Sequence, residues 1–143
     1  MSTLSEFENV TCPYDEVVDR LLARFGGGTA VVPLRLQIGD LRIERDAVIS
    51  MAPKPGYPGY HLLYVSWTPE GGGPYPTFEG TLSVADEGFG RSRLDLYGSY
   101  KPPLGIVGAT FDAAFGARIA HAVATELLAH FKTILSEPLT HPA

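Results

Sequence analysis

From Val32 to Tyr100 the apolar residues tend to recur at every second position, and from Thr110 to Leu135 they recur every third or fourth. A two-residue period belongs to half-buried strands, and a period of about 3.6 residues to an amphipathic helix. The chain therefore places a run of strands first and one long helix last. Short Gly- and Pro-rich turns join the strands, with no helix-length segment between them, so they form antiparallel hairpins rather than parallel crossovers. The expected fold class is α+β, an antiparallel sheet of six to seven strands wrapped around the C-terminal helix.

Before the hairpins, Thr3 to Val10 reads as a first strand. Thr11-Cys12-Pro13 then opens a helix of about three turns, with Asp15 and Glu16 in the first turn, where they complement the helix dipole. Its apolar stripe is Val17, Val18, Leu21, Leu22 and Phe25, and Gly26 to Gly28 ends it. In the next strand Val32, Leu34, Leu36 and Ile38 alternate with Pro33, Arg35 and Gln37. Pro33 cannot donate to a ladder, which makes this an edge strand or a bulged one. Leu41 to Met51 follows, and Arg45 in its apolar row predicts a bulge. Tyr60 to Thr68 reads as a strand apolar on both faces. Phe78, Gly80, Leu82 and Val84 form one alternating row, and Leu94, Leu96, Gly98 and Tyr100 another, with Asp86-Glu87-Gly88 turning the chain between them.

The long helix, starting at Leu104 or Thr110, carries Gly116, Ala120, Val123, Ala124, Leu127, Phe131, Ile134 and Leu135 on one broad face. Arg118, Thr125, Lys132 and Ser136 lie opposite. The inward face is small-residued in its first half and large-residued in its second. Gly80 and Gly98 likewise stand among the apolar strand positions. Small residues on both walls mean either that helix and sheet approach closely or that a volume is left between them, typically a few hundred Å³ for a small-molecule site. Phe111, Phe115 and Ile119 form a stripe at the edge of this face, read as packing beneath the loops or as a homodimer contact.

A length of 143 residues suits one domain spanning the whole chain, with 137–143 as a frayed tail. The net charge of -5 argues against a nucleic-acid or anionic-membrane partner. Cys12 is the single cysteine, so no intrachain disulfide forms. No apolar segment is long enough to insert into a membrane and no leader is visible, so a cytoplasmic location is expected.

Few residues point to chemistry. His61, His121, His130 and His141 lie on different elements or opposite helix sides, so no metal is expected. The Gly-rich runs lack the Lys-Ser/Thr of a phosphate loop, and no cofactor motif occurs. Asp15, Asp19, Asp86 and Glu87 read as solvated charge, and Cys12 as a small buried residue. Glu79, Arg93, Asp95 and Tyr97 fit an outer sheet face. Tyr60, Tyr64 and Tyr100 would need hydroxyl partners if they point inward.

The opening Cys12-Pro13-Tyr14-Asp15-Glu16-Val17-Val18 looks like a Pro-x-x-x-Val helix start. Tyr100-Lys101-Pro102-Pro103-Leu104-Gly105-Ile106-Val107-Gly108, followed by Asp112 and the long helix, looks like a last-strand-to-helix junction common in bacterial proteins of one group. On these segments and the element order, the chain resembles the START-like or SRPBCC superfamily, the helix-grip domains of polyketide cyclases and lipid carriers. It shows one strand fewer than the usual seven, and Gly26 to Gly28 stand where many members have a second short helix. The resemblance implies a cavity between sheet and helix for a small hydrophobic or amphipathic ligand, such as a lipid or polyketide-like ring. It carries over no catalytic residue. The lining expected here is Tyr64, Gly80, Leu82, Leu96, Gly98, Tyr100, Ala120, Val123 and Ala124. The alternatives are a cyclase or dehydratase using a pocket Tyr or His, and a structural or dimerising subunit acting through Phe111, Phe115 and Ile119.

Overall fold

Alternation along the strands and the helical stripe of the C-terminal segment settle into an order of β1 (Ser2–Val10), α1 (Tyr14–Phe25), β2 (Thr29–Ile38), β3 (Leu41–Lys54), β4 (His61–Pro69), β5 (Thr77–Gly88), β6 (Arg91–Lys101) and α2 (Ala113–Ser136). The structure, a computed structural model, describes residues 2–25, 29–38, 41–55, 61–70, 77–101 and 113–136. The strands form one antiparallel sheet of six, ordered β1-β6-β5-β4-β3-β2.

α2 lies against both edge strands, β1 and β2. A flat sheet of this size would hold its edges about 24 Å apart at the usual strand spacing, whereas a helix is only about 10–12 Å across. Both edges reach one helix because the sheet curls. Polar contacts fasten each side. His121 meets Glu6 on β1, and Lys132 Nζ lies 3.3 Å from Glu8 on the same strand. On the other side His130 Nε2 donates to the Pro33 carbonyl of β2, 3.2 Å away. The two helix histidines thus tie α2 to the two edges of the sheet.

The point of sharpest approach within the sheet is a glycine pair. Gly80 of β5 sits directly opposite Gly98 of β6. A Cβ at Gly80 would come 2.3 Å from the Tyr97 carbonyl oxygen, and one at Gly98 would come 2.3 Å from that of Glu79. Neither strand could take this path with a side chain there. Glycine at both positions lets the backbones bend together and contributes to the curl.

The concave face and the helices enclose the core. Val17, Leu21 and Phe25 of α1 are buried, as are Ile119, Ala120, Val123, Ala124, Leu127, Leu128, Phe131 and Leu135 of α2. Phe25 and Phe131 meet edge to face at 5.5 Å, locking α1 onto the large-residued half of α2. Arg20 Nη1 donates to the Leu135 carbonyl at 2.9 Å, satisfying one of the orphan acceptors at the end of α2. Ser92 Oγ donates to the Cys12 carbonyl at 2.7 Å and pins the corner between β1 and α1 to the start of β6. Ser92→Ala strands that carbonyl in the interior, and the expected loss is about 1–2 kcal/mol. It would be read as a lower urea midpoint at unchanged slope; a midpoint equal to the parent's would show that the bond adds nothing.

Three local expectations are corrected. The β2–β3 register runs unbroken from Thr29↔Ser50 to Ile38↔Leu41, so Arg45 makes no bulge. Pro33 is accommodated because β2 is an edge strand. The irregularity falls instead between Asp86 and Gly88, and the β5–β6 hairpin turns at Phe89 and Gly90 rather than over residues 86–88. Nor is β4 apolar on both faces. Leu63, Val65 and Trp67 are buried, whereas Tyr64 between them is 50% exposed.

Candidate functional site

Strand pairing fixes which side chains share the concave face. Trp67 is opposite Phe78, which is opposite Tyr100, and Leu63 is opposite Leu82, which is opposite Leu96. Gly80, Leu82, Leu96, Gly98 and Tyr100 therefore stand on the face turned toward α2, and Ala120, Val123 and Ala124 are on the helix side that meets the core. Eight of the nine residues expected to line a pocket are thus brought to the interior. Among the described residues, Leu82, Leu96, Ala120, Val123 and Ala124 have no accessible surface, so no water-sized void borders them.

Tyr64 is the ninth, and it is a correction. It pairs with Thr81, which pairs with Tyr97, and all three occupy the opposite, convex face. There Lys54 Nζ lies 5.2 Å from the Tyr64 ring centre and donates to Thr81 Oγ1 at 2.9 Å. The neighbouring positions are also accounted for on that face. Arg93 stacks on Phe7 at 4.0 Å and pairs with Asp95 at 3.1 Å. A shallow cleft of about 260 Å³ lined by Ser50, Ala52, Tyr64, Ser66 and Glu79 also opens on this side of the sheet.

The small residues have a specific occupant. Phe78 Cζ would lie 2.4 Å from a Cβ at Gly80 and 2.9 Å from one at Gly98, so its ring covers the glycine pair. The same ring stacks on Trp67, with centroids 4.1 Å apart and planes within 13°. On the concave side the glycines thus make room for a ring of the protein itself, and Gly80 also borders the cleft beside Tyr64. Trp67 and Phe78 are both 1% exposed. Trp67 carries a feature unusual for a core residue: its indole Nε1 is buried without a hydrogen-bond partner among the described residues. Trp67 had no place in the sequence-derived lining. The available signal was its two-residue phase with Leu63 and Val65.

At the other end of the same row, His61 stacks on Tyr14 at 4.2 Å with planes 1° apart, and its Nδ1 is buried without a partner among the described residues. Tyr60 lies outside the described residues. Cys12 is fully buried, and burial pushes its thiol up, away from thiolate chemistry. Among the described residues no three His, Cys, Asp or Glu side chains converge as a metal site, and no helix is long and apolar enough to cross a membrane. Of the stripe read as a homodimer contact, Ile119 is 1% exposed and belongs to the core, which corrects that part of the expectation. Its helical position, one turn before Val123, turns it inward. Phe111 and the Phe115 side chain lie outside the described residues.

No family model matches the sequence, and no curated protein matches it significantly. Solved structures do match the fold. A conserved protein from Geobacillus kaustophilus aligns at a TM-score of 0.56 with 17% identity, covering 94% of this chain and 95% of that one. The Zhui aromatase/cyclase from Streptomyces sp. R1128 aligns at 0.51 with 14% identity, covering 94% and 91%. A START superfamily protein from Mycobacterium smegmatis aligns at 0.49 with 10% identity, covering 92% and 98%. The first two of these structures share the fold, a helix-grip arrangement of a curled antiparallel sheet around a C-terminal helix.

Proposed function

We propose that this START-like chain binds a small hydrophobic or amphipathic ligand between the concave face of the sheet and the first half of α2. The observation that carries the reading is the layer formed by Trp67 and Phe78. Small residues back it on the sheet at Gly80 and Gly98, and Ala120 and Ala124 present small side chains to the core from the helix. A ring-shaped ligand takes the same thickness as such a layer. Without ligand the protein fills the space with its own rings; with ligand Phe78 swings off the glycine pair. The buried apolar side chains of Leu82, Leu96 and Val123 support a lipid or polyketide-like ligand. The fold resemblance to an aromatase/cyclase supports the same kind of guest. Acid–base chemistry on that guest is the second reading, and His61, with its unpartnered buried Nδ1, is the group that favours it.

Native mass spectrometry of freshly purified protein tests the binding reading. The expected result is a co-purifying apolar compound, or a rise in the unfolding midpoint when fatty acids, sterols or bicyclic aromatics are added. At a hundredfold excess over Kd, binding stabilises the folded state by about 2.7 kcal/mol. A bare polypeptide mass together with an unmoved midpoint across that panel would sink it.

A further inference from the structure

We infer that Trp67 reads the ligand through its indole N–H, and that the ligand is an apolar ring compound bearing a neutral oxygen acceptor, a ketone or phenol rather than a carboxylate. This rests on the binding reading above and narrows it. Trp67 projects from β4 into the concave face, directly opposite Phe78 and Ile49. Its Nε1 is buried and has no partner among the described residues. An indole nitrogen can only donate, and a donor sealed in an apolar interior forfeits the hydrogen bond that water would have given it. A position that needed only bulk would be served by Phe, which has no such group to satisfy. Its cross-strand partners Ile49 and Phe78, and Leu63 and Val65 on its own strand face, carry no side-chain acceptor.

The direction of approach is set by the ring. The N–H lies in the ring plane, so the acceptor arrives at the edge of Trp67 rather than over its face. These neighbours also lack any cation to compensate a buried negative charge, which selects a neutral oxygen over a carboxylate.

Trp67 is the only tryptophan in the chain, so a ¹H–¹⁵N spectrum contains one indole signal and the protein reports on this atom without interference. The probes are α-tetralone and tetralin, bicyclic compounds that differ by one carbonyl oxygen, with octanoate as the charged comparison. α-Tetralone is expected to move the indole proton downfield and to bind wild type about tenfold more tightly than tetralin, a difference of about 1.4 kcal/mol. In Trp67→Phe the preference for the ketone disappears while both bicyclics still bind. Octanoate leaves the indole signal in place. Equal binding of the two bicyclics to wild type with an unmoved indole proton overturns the inference and leaves the apolar pocket standing. Binding of neither bicyclic overturns both. The wild-type spectrum decides the matter even if Trp67→Phe folds poorly.

Discussion

Gly98→Ala is expected to destabilise the protein by about 3 kcal/mol, the upper end for overpacking a tight interior, and to lower its melting midpoint by roughly 10 °C. The new methyl carbon would sit 2.3 Å from the Glu79 carbonyl oxygen and 2.5 Å from Gly80 Cα. Both obstacles are backbone of the paired strand, so no rotamer change relieves them, and β5 and β6 must move apart. Gly90→Ala is the internal comparison. Nothing lies within 4 Å of a Cβ there, and its φ of 72° makes the cost conformational alone, about 1–2 kcal/mol. Phe78→Leu is the second. If Gly98 were small merely to admit the Phe78 ring, Gly98→Ala combined with Phe78→Leu would recover most of the loss. The backbone clash predicts little recovery. A Gly98→Ala protein that melts with the parent would show that the strands do not bend together at this pair.

Phe78→Ala is expected to cost about 3–5 kcal/mol, the range for deleting a buried aromatic ring. The ring contributes its stack on Trp67 and its cover over Gly80 and Gly98. The void left behind lies over the glycine pair and beside Trp67, and accepts a small apolar guest. Indole or benzene added to Phe78→Ala should therefore raise its midpoint by mass action, and raise the parent's far less. Phe78→Leu, which leaves a smaller void, should lose less stability and gain less from the same guests. Equal response of parent and variant to these guests would mean that Phe78 does not hold the space a ligand would use.

Much of this molecule was legible in one dimension. Pro33 in an alternating strand pointed to an edge or a bulge, and β2 is an edge with unbroken register. The helix stripe from Ala120 to Leu135 marked the buried side of α2, with Arg118, Thr125, Lys132 and Ser136 exposed. At about 100° per residue the step from His121 to His130 turns half a circle, and the two side chains do reach opposite edges of the sheet. Periodicity carries this information because each element's own geometry decides which residues share a face.

Tyr64 was not legible, because Tyr64 and Val65 are adjacent residues of comparable apolar character and alternation cannot choose between them. Pairing chose: Tyr64 joins Thr81 and Tyr97 on the convex side, whereas Val65 joins Gly80 and Gly98 within. The glycines themselves were visible from the start as small residues among large ones. A missing side chain, however, records only that room is needed, not what takes it. The succession of hairpins from β2 to β6 follows from periods and turns along the chain. The occupant of the Gly80–Gly98 gap, the Phe78 ring stacked on Trp67, was decided by tertiary packing alone, since residues from three strands meet there and no local pattern links them.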